Sequence, residues 1–354
     1  MDETPYQEAQ FQPQRSITLP SDLHAVITRA LATVPAARWM RAAQALSEHY
    51  RAARTAHDRS PATDRLHVLG YAALILPATY AQLHGALSAT AARIPHWAPT
   101  TMLDLGSGPG TALWAATAQW PTLRALTAWE RAPAFIALGR ELARDSDSAA
   151  VRSAHWEQRD LRQIERATAL PYDLVVLGHV LNELDPATQQ QVITRAWELT
   201  GGLLLIVEPG TSALFAVVRA ARDQLLGVGA HTIAPCAHDL PCPLANDWCH
   251  FPQRLIRPDF QRRARGAPSQ WEDSKFAYAA LARFAPEQPI WARVIRETTS
   301  NKAYAEATLS TRAGIVRYQG LKRHREAFRR VQRLIWGAAL TEPLPETENV
   351  KREA

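Results

Sequence analysis

The stretch Pro235–Phe251, PCAHDLPCPLANDWCHF, holds all three cysteines of the chain, Cys236, Cys242 and Cys249, together with His238 and His250. Thiolates and imidazoles are soft to borderline ligands, so this loop can hold a metal; it can also simply pack as small apolar groups between prolines. A second concentration of chemistry lies upstream. Thr101–Thr111, TMLDLGSGPGT, runs an apolar strand containing Asp104 into a turn made of Gly106, Ser107, Gly108 and Gly110. Glycines there let the backbone approach a ligand and turn tightly, and the helix starting near Ala112 offers unpaired N–H groups at its N-terminus. Glu130 ends a second apolar run, Ala125–Trp129. It stands about twenty residues beyond the last glycine, where a carboxylate can accept hydrogen bonds from ribose hydroxyls. Asp160 follows a third strand-like run from His155, with a helix cap as its alternative role. His179, Asn182 and Glu183 follow a fourth, Tyr172–Gly178, and His179 can also be read as a core residue.

The elements that must position these residues follow from periodicity. A fifth strand, Gly202–Glu208, and helical patterns between the strands predict a parallel, doubly wound sheet that binds its ligand at the carboxyl ends of the strands. Before it, Leu23, Val26, Ile27, Ala30 and Leu31 recur at helical spacing, a second helix is expected over Ala36–Thr55, and Pro77 should end or kink a third helical region. Tyr71 and Tyr80 read as core packing, or as part of a lid over the pocket. Ser212–Leu226 reads as a helix and Lys275–Ala282 as a strand returning to the sheet. Ile290–Ile295, Tyr304–Leu309 and Ile315–Tyr318 form a small β unit, followed by a basic helix over Lys322–Leu334. The expected organisation is a helical region over 1–95, a cofactor core over 96–230, a cysteine-containing segment over 231–285, a β unit with the basic helix over 286–340, and a disordered tail over 341–354.

The chain of 354 residues carries forty basic against thirty-four acidic side chains, a formal net charge of +6 that favours a polyanionic partner. Two stretches concentrate this charge. Gln253–Arg265 carries Arg254, Arg257, Arg262, Arg263 and Arg265 against Asp259, and Lys322–Leu334 carries a second run. Both are solvated faces or phosphate contacts, and their combination makes RNA the preferred partner. No apolar run reaches the roughly 18 residues of a membrane span, and the acidic start MDETPYQEAQF has neither a signal-peptide core nor an Arg-rich transit pattern. Three cysteines cannot all pair. The expectation is a protein without membrane segments, in a reducing compartment, the cytoplasm.

The strand, glycine loop and following acids resemble the class I S-adenosylmethionine-dependent methyltransferases. The resemblance implies an α/β fold, a Rossmann-like doubly wound sheet. Asp104, Gly106, Ser107, Gly108 and Gly110 match the cofactor loop, Glu130 the ribose-binding acid and Asp160 the adenine-contacting position. His179, Asn182 and Glu183 match the segment that closes over the cofactor. No catalytic signature accompanies them: the position after the fourth strand reads Gly178-His-Val-Leu, where amino-group methyltransferases of nucleic acids carry an Asp or Asn before two prolines and an aromatic. Glu208 is a base, a substrate-orienting group or a hydrogen-bonding acid.

A more specific likeness rests on Thr232–Leu244, Asp247–Phe251 and Glu272–Tyr278, with Leu76–Tyr80 and Asn182–Leu184. These stretches are similar to the mitochondrial-type small ribosomal subunit assembly family, the group of methyltransferase-like protein 17 and its bacterial relatives, over roughly residues 70–335. The resemblance implies S-adenosylmethionine binding, association with the small ribosomal subunit or its RNA, and a 4Fe-4S cluster held by four cysteines. Three ligand positions map to Cys236, Cys242 and Cys249, and the fourth falls on Ser310 within Ala307–Gly314. A serine oxygen is a harder ligand than a thiolate, so a labile cluster, an open iron, recruitment of His238 or His250, zinc held by three Cys and one His, or no metal are the alternatives. Methyl transfer to RNA, to a small molecule or to a protein stays open.

Overall fold

Helical spacing in the N-terminal third becomes four helices in the computed structural model, which describes residues 16–52, 64–164, 171–345 and 350–352. The acidic start of the chain, the polar break from His57 to Thr63 and residues 346–349 of the expected tail lie outside the described residues. Helix α1 (Ser21–Ala32) buries Leu23, Val26, Ile27, Ala30 and Leu31, the stripe its spacing requires. After α2 (Ala36–Ala52), Asp64 caps α3 (Arg65–Leu74) by accepting hydrogen bonds from the Leu66 and His67 amides. Pro77 lies in the first turn of α4 (Leu76–Ala91), where a missing N–H costs nothing. The break at Ile75 bends α3 against α4 by 50°. Among the described residues no single helix is long and apolar enough to cross a membrane; the bent α3–α4 pair has that length and composition, but its apolar residues are buried in the core.

The main sheet starts with β1 (Thr101–Leu105), α5 (Thr111–Gln119), β2 (Ala125–Glu130), α6 (Pro133–Ala143), α7 (Ala149–Arg152) and β3 (His155–Gln158). It continues with β4 (Tyr172–Gly178), α8 (Pro186–Glu198), β5 (Thr200–Pro209), α9 (Ser212–Leu226) and β6 (His231–Ala234), then β7 (Phe251–Ile256), α10 (Asp259–Arg265) and β8 (Trp271–Ala282). Its order is β3-β2-β1-β4-β5-β8-β6, with β7 paired to β8. Strands β1 to β5 are parallel, and β8 runs antiparallel between β5 and β6. The central strands are buried on both faces. Met102, Leu174, Val176, Leu203 and Leu205 face α1 and α3–α6, while Leu103, Val175, Leu177, Leu204 and Ile206 face α8 and α9. This is the doubly wound sheet the sequence implies. Strands β6 and β8, from the expected cysteine segment, complete it.

A second, antiparallel sheet contains β9 (Ala292–Val294), β10 (Thr299–Ser300), β11 (Tyr304–Thr311), β12 (Gly314–Leu321), β13 (Ala339–Leu340) and β14 (Val350–Arg352). The basic helix α11 (Arg325–Gln332) buries Ala327 and Val331 against it. Contact is close because Gly320 of β12 lacks a side chain: a Cβ there would stand 2.6 Å from the Ala327 carbonyl oxygen. The expectation of a disordered tail is corrected for its described part. Leu344 is buried, the Tyr318 hydroxyl donates to the Pro345 carbonyl, and Val350–Arg352 pairs with Val316–Tyr318. An unpaired edge of β12 and one buried leucine order residues whose composition alone gives no core.

The first basic stretch is also changed by the fold. Arg254 pairs with Asp273, Arg257 and Arg265 with Glu272, and Arg262 with Asp259, at 2.8, 2.8, 3.3 and 2.5 Å, while Arg263 lies over the Trp39 ring. Most of its charge is matched within the protein, because β8 brings Glu272 and Asp273 alongside β7.

Candidate cofactor pocket and cysteine cavity

At the carboxyl ends of β1, β2 and β4 the glycine loop closes one wall of a cavity of about 200 Å³. Asp104, Gly106, Ser107, Gly108, Glu130, Asp160 and His179 all line it. Gly110 does not; it caps α5 with a left-handed φ of 82°, and a Cβ there would meet Trp156 at 2.8 Å. Gly106 has φ +71° and a Cβ would stand 2.5 Å from Val180 Cγ2, so only glycine fits. The Gly106 and Ser107 amides both donate to the Trp129 carbonyl, tying the loop to β2.

Glu130 holds the loop directly. Its Oε2 accepts from the Gly108 amide and its Oε1 from the Ala132 amide, both at 2.8 Å. Burial raises its pKa, and these amides oppose the shift. Each carboxylate oxygen keeps acceptor capacity for a ligand hydroxyl. Asp104 is 2% exposed, and burial followed by the Glu130 charge pushes its carboxyl up to about 8. Its Oδ2 has no hydrogen-bond partner. Asp160 lines the cavity and also takes the capping role, closing the short turn Leu161–Gln163 by accepting from the Arg162 amide at 3.0 Å. Burial works to raise its pKa, and the bonds and charge of Arg162 more than offset this, leaving it below the ordinary value.

His179 adopts a left-handed backbone, φ 61°, with its amide donating to the Val207 carbonyl. Non-glycine residues occupy that region at a cost, so the turn needs support. Glu208 supplies it. Fully buried and pushed up to about 7 by burial, it accepts from the Leu181 amide at 2.8 Å and from Asn182 Nδ2 at 2.7 Å. Of the roles open to Glu208, the structure gives it the hydrogen-bonding one. Leu46, Tyr71, Ile75, Thr79 and Leu83 of the N-terminal helices roof the same cavity, and Tyr71 packs edge-on against Phe135. Tyr80 is core. Arg131, Arg159 and Arg162 also line the cavity; only their closeness in sequence to Glu130 and Asp160 could have suggested them. The arrangement suits a ligand that is cationic at one end, facing the unpaired Asp104, and hydroxylated where Glu130 lies.

The cysteine stretch borders a second cavity, of about 40 Å³, between α9, β8 and the C-terminal sheet. Cys236, Cys242, Cys249 and Ser310 all line it, so the fold brings together four residues from two distant parts of the chain. None of the cysteines is in a disulfide. Burial pushes the Cys236 and Cys249 thiols up, the latter well above its ordinary value; nearby arginines act in the opposite direction. Neither His238 nor His250 lines the cavity. His250 is stacked on Trp248 and edge-on to Trp336, and burial lowers its pKa to about 4. As placed, no three His, Cys, Asp or Glu among the described residues meet at the spacing of one metal ion. A tetrahedral zinc with bonds of about 2.3 Å needs its sulfurs within roughly 4 Å of each other. A cluster of several irons spreads its thiolates further. Soft donors, cationic neighbours and a polar residue at the fourth position fit such a cluster.

Among solved structures the fold is similar to a magnesium protoporphyrin IX methyltransferase from Synechocystis PCC 6803, at 11% identity over 58% of this chain and 80% of that one, TM-score 0.38. An O-methyltransferase family protein from Burkholderia thailandensis is similar at 17% identity over 59% and 67%, TM-score 0.39. In sequence, the chain is 28% identical to Ribosome assembly protein METTL17, mitochondrial, of Homo sapiens over 77% of this chain and 62% of the relative. It is 26% identical to Rsm22-cox11 tandem protein 2, mitochondrial, of Schizosaccharomyces pombe over 55% of this chain and 29% of the relative. It thus spans less than two thirds of the length of these curated relatives. The family model for the mitochondrial small ribosomal subunit Rsm22 matches residues 65–341, a span that takes in the cofactor pocket apart from Leu46, the cysteine cavity and the basic helix, and the chain belongs to that family.

Proposed function

We propose that this protein is an S-adenosylmethionine-binding assembly factor of the small ribosomal subunit that carries an iron–sulfur cluster in its cysteine cavity. The observation that carries the reading is that one family match spans the glycine loop and the cysteine stretch, and that the fold brings Cys236, Cys242, Cys249 and Ser310 to one cavity. In the cofactor pocket, Asp104 faces the cationic amino acid end, Glu130 the ribose hydroxyls, Asp160 the adenine, and His179 with Asn182 closes over the ligand. Cys236, Cys242 and Cys249 would hold the cluster as thiolates, with Ser310 at the fourth position. When bound, the cluster supplies a covalent tie between the cofactor domain and β11. The direct test is sedimentation of the anaerobically purified protein with small ribosomal subunits. Co-sedimentation that weakens steeply with salt is expected, and no association at low salt would end the reading.

RNA is the partner surface this reading needs, and α11 fits it better than α10. Arg325, Arg329 and Arg333 are exposed and spaced four residues apart, so they share one helical face, and Lys322 adjoins it. None of these four has a carboxylate partner among the described residues, in contrast to Arg254, Arg257, Arg262 and Arg265. Changing Arg325, Arg329 and Arg333 together to Gln should reduce the slope of log affinity against log salt by about 2 to 3 for small-subunit RNA, as expected for three lost phosphate contacts. An unchanged slope in a filter-binding titration would remove α11 from the interface.

A further inference from the structure

Arg293 is the most deeply buried cation near the cysteines, 1% exposed. Its Nε donates to the Pro235 carbonyl at 2.8 Å and its Nη1 to the Gly337 carbonyl at 2.9 Å, while its Nη2 is buried with no partner. It stands directly across from Ser310 in the β9–β11 ladder, and both residues line the cysteine cavity. The charged side chains lining that cavity are Arg219, Arg222 and Arg293; no carboxylate is among them. Arg222 reaches Asp223 at 2.8 Å, and Arg219 is half-buried against the Phe215 ring. Arg293 has no carboxylate partner among the described residues, and its charged neighbour Arg93, 3% exposed, is of like sign. A buried guanidinium with a free donor and no counter-ion is costly, and proteins keep such a group where a ligand completes it.

We propose that Arg293 is the counter-charge of the group bound in the cysteine cavity, so that this group is anionic and is held partly by the guanidinium opposite Ser310. The inference rests on the cluster reading. Three thiolates outweigh the charge of a dicationic cluster core, so such a cluster is an anion, and Arg293 lies beside the one position where a thiolate is replaced by a hydroxyl. It is a positioning residue, acting on the bound group through charge.

The test uses the full chain, purified anaerobically and reconstituted with iron and sulfide, as wild type, Arg293→Gln and Arg293→Lys. Gln keeps a donor for the two carbonyls without the charge; Lys keeps the charge. Expected results are a more negative midpoint potential and at least tenfold faster cluster loss to an iron chelator in Arg293→Gln, with Arg293→Lys close to wild type in both. Cluster-free Arg293→Gln should melt no lower than cluster-free wild type. Wild-type potential and loss rate in Arg293→Gln would overturn the proposal. So would equal impairment of the Lys and Gln variants together with lowered melting of their cluster-free forms, which would make Arg293 a strut. A wild-type chain that takes up neither iron nor sulfide would overturn the cluster reading itself, and this inference with it.

Discussion

Asp104→Asn should weaken S-adenosylmethionine binding by about a hundredfold or more, the order expected for losing a charge-assisted contact in a buried site, while stabilising the empty protein at alkaline pH. The two effects share one cause. Burial and Glu130 raise the Asp104 carboxyl from 3.8 to about 8, so the folded chain binds a proton there that the unfolded chain has released. Where the folded state holds more protons, stability falls as pH rises. The cost of Asp104 is therefore absent well below 3.8, grows across the interval, and is complete above about 8. It has a ceiling of roughly 6 kcal/mol, lowered by any water that enters the cavity. Asn carries no such cost, so the variant's melting temperature should fall less than that of wild type between acid and pH 8. A cationic ligand reverses the balance by favouring the carboxylate. Binding to wild type should tighten as pH rises towards 8 and release a proton, which calorimetry in two buffers of different ionisation enthalpy would register. Equal affinity of the two proteins, with no proton release, would contradict the assignment of Asp104.

Gly139→Ala should destabilise the fold by about 3 kcal/mol, the upper range for overpacking. Gly139 of α6 lies against Trp156, where a Cβ would stand 2.1 Å from the indole Cη2. The same ring atom is 2.8 Å from the position of a Cβ on Gly110. Trp156 is thus wedged between α6 and the start of α5, and a methyl group on one side drives it into the cofactor loop on the other. Cofactor affinity should fall along with stability. Gly108→Ala is the comparison: a Cβ there meets nothing within 4 Å, leaving only the strain of its φ of +53°, about 1 to 2 kcal/mol. Urea unfolding with unchanged slope would measure both variants. A Gly139→Ala loss below that of Gly108→Ala would show that the ring moves aside freely.

Local order decided how much of this was legible beforehand. Asp104, Gly106, Ser107, Gly108 and Glu130 are readable because a strand feeding a glycine turn is a short-range pattern, and the loop must be built from neighbouring residues. The roof residues Tyr71, Ile75 and Thr79 carry no such mark, since their helices resemble any buried helix until they are docked. Gly110 belongs with the cofactor residues by resemblance of the loop, yet its lack of a side chain serves Trp156. The basic run from Arg254 to Arg265 leaves a solvated face and a phosphate contact equally open in sequence because two of its acids, Glu272 and Asp273, arrive from the other strand of a ribbon.

The sequence by itself determined the doubly wound sheet, the cofactor loop and the cysteine stretch, because periodicity and turn chemistry act over a few residues. It also determined the family, through motifs that hold their spacing. Tertiary structure alone decided which groups meet. Ser310 joins the three cysteines only because β11 is set against the cofactor domain, and Arg293 stands opposite Ser310 only through the register of β9 with β11. Glu208 becomes the support of the His179 turn only once β5 lies beside β4. Charge balance, burial and the partner of each buried group depend on contacts between distant residues, and those exist only in the folded chain.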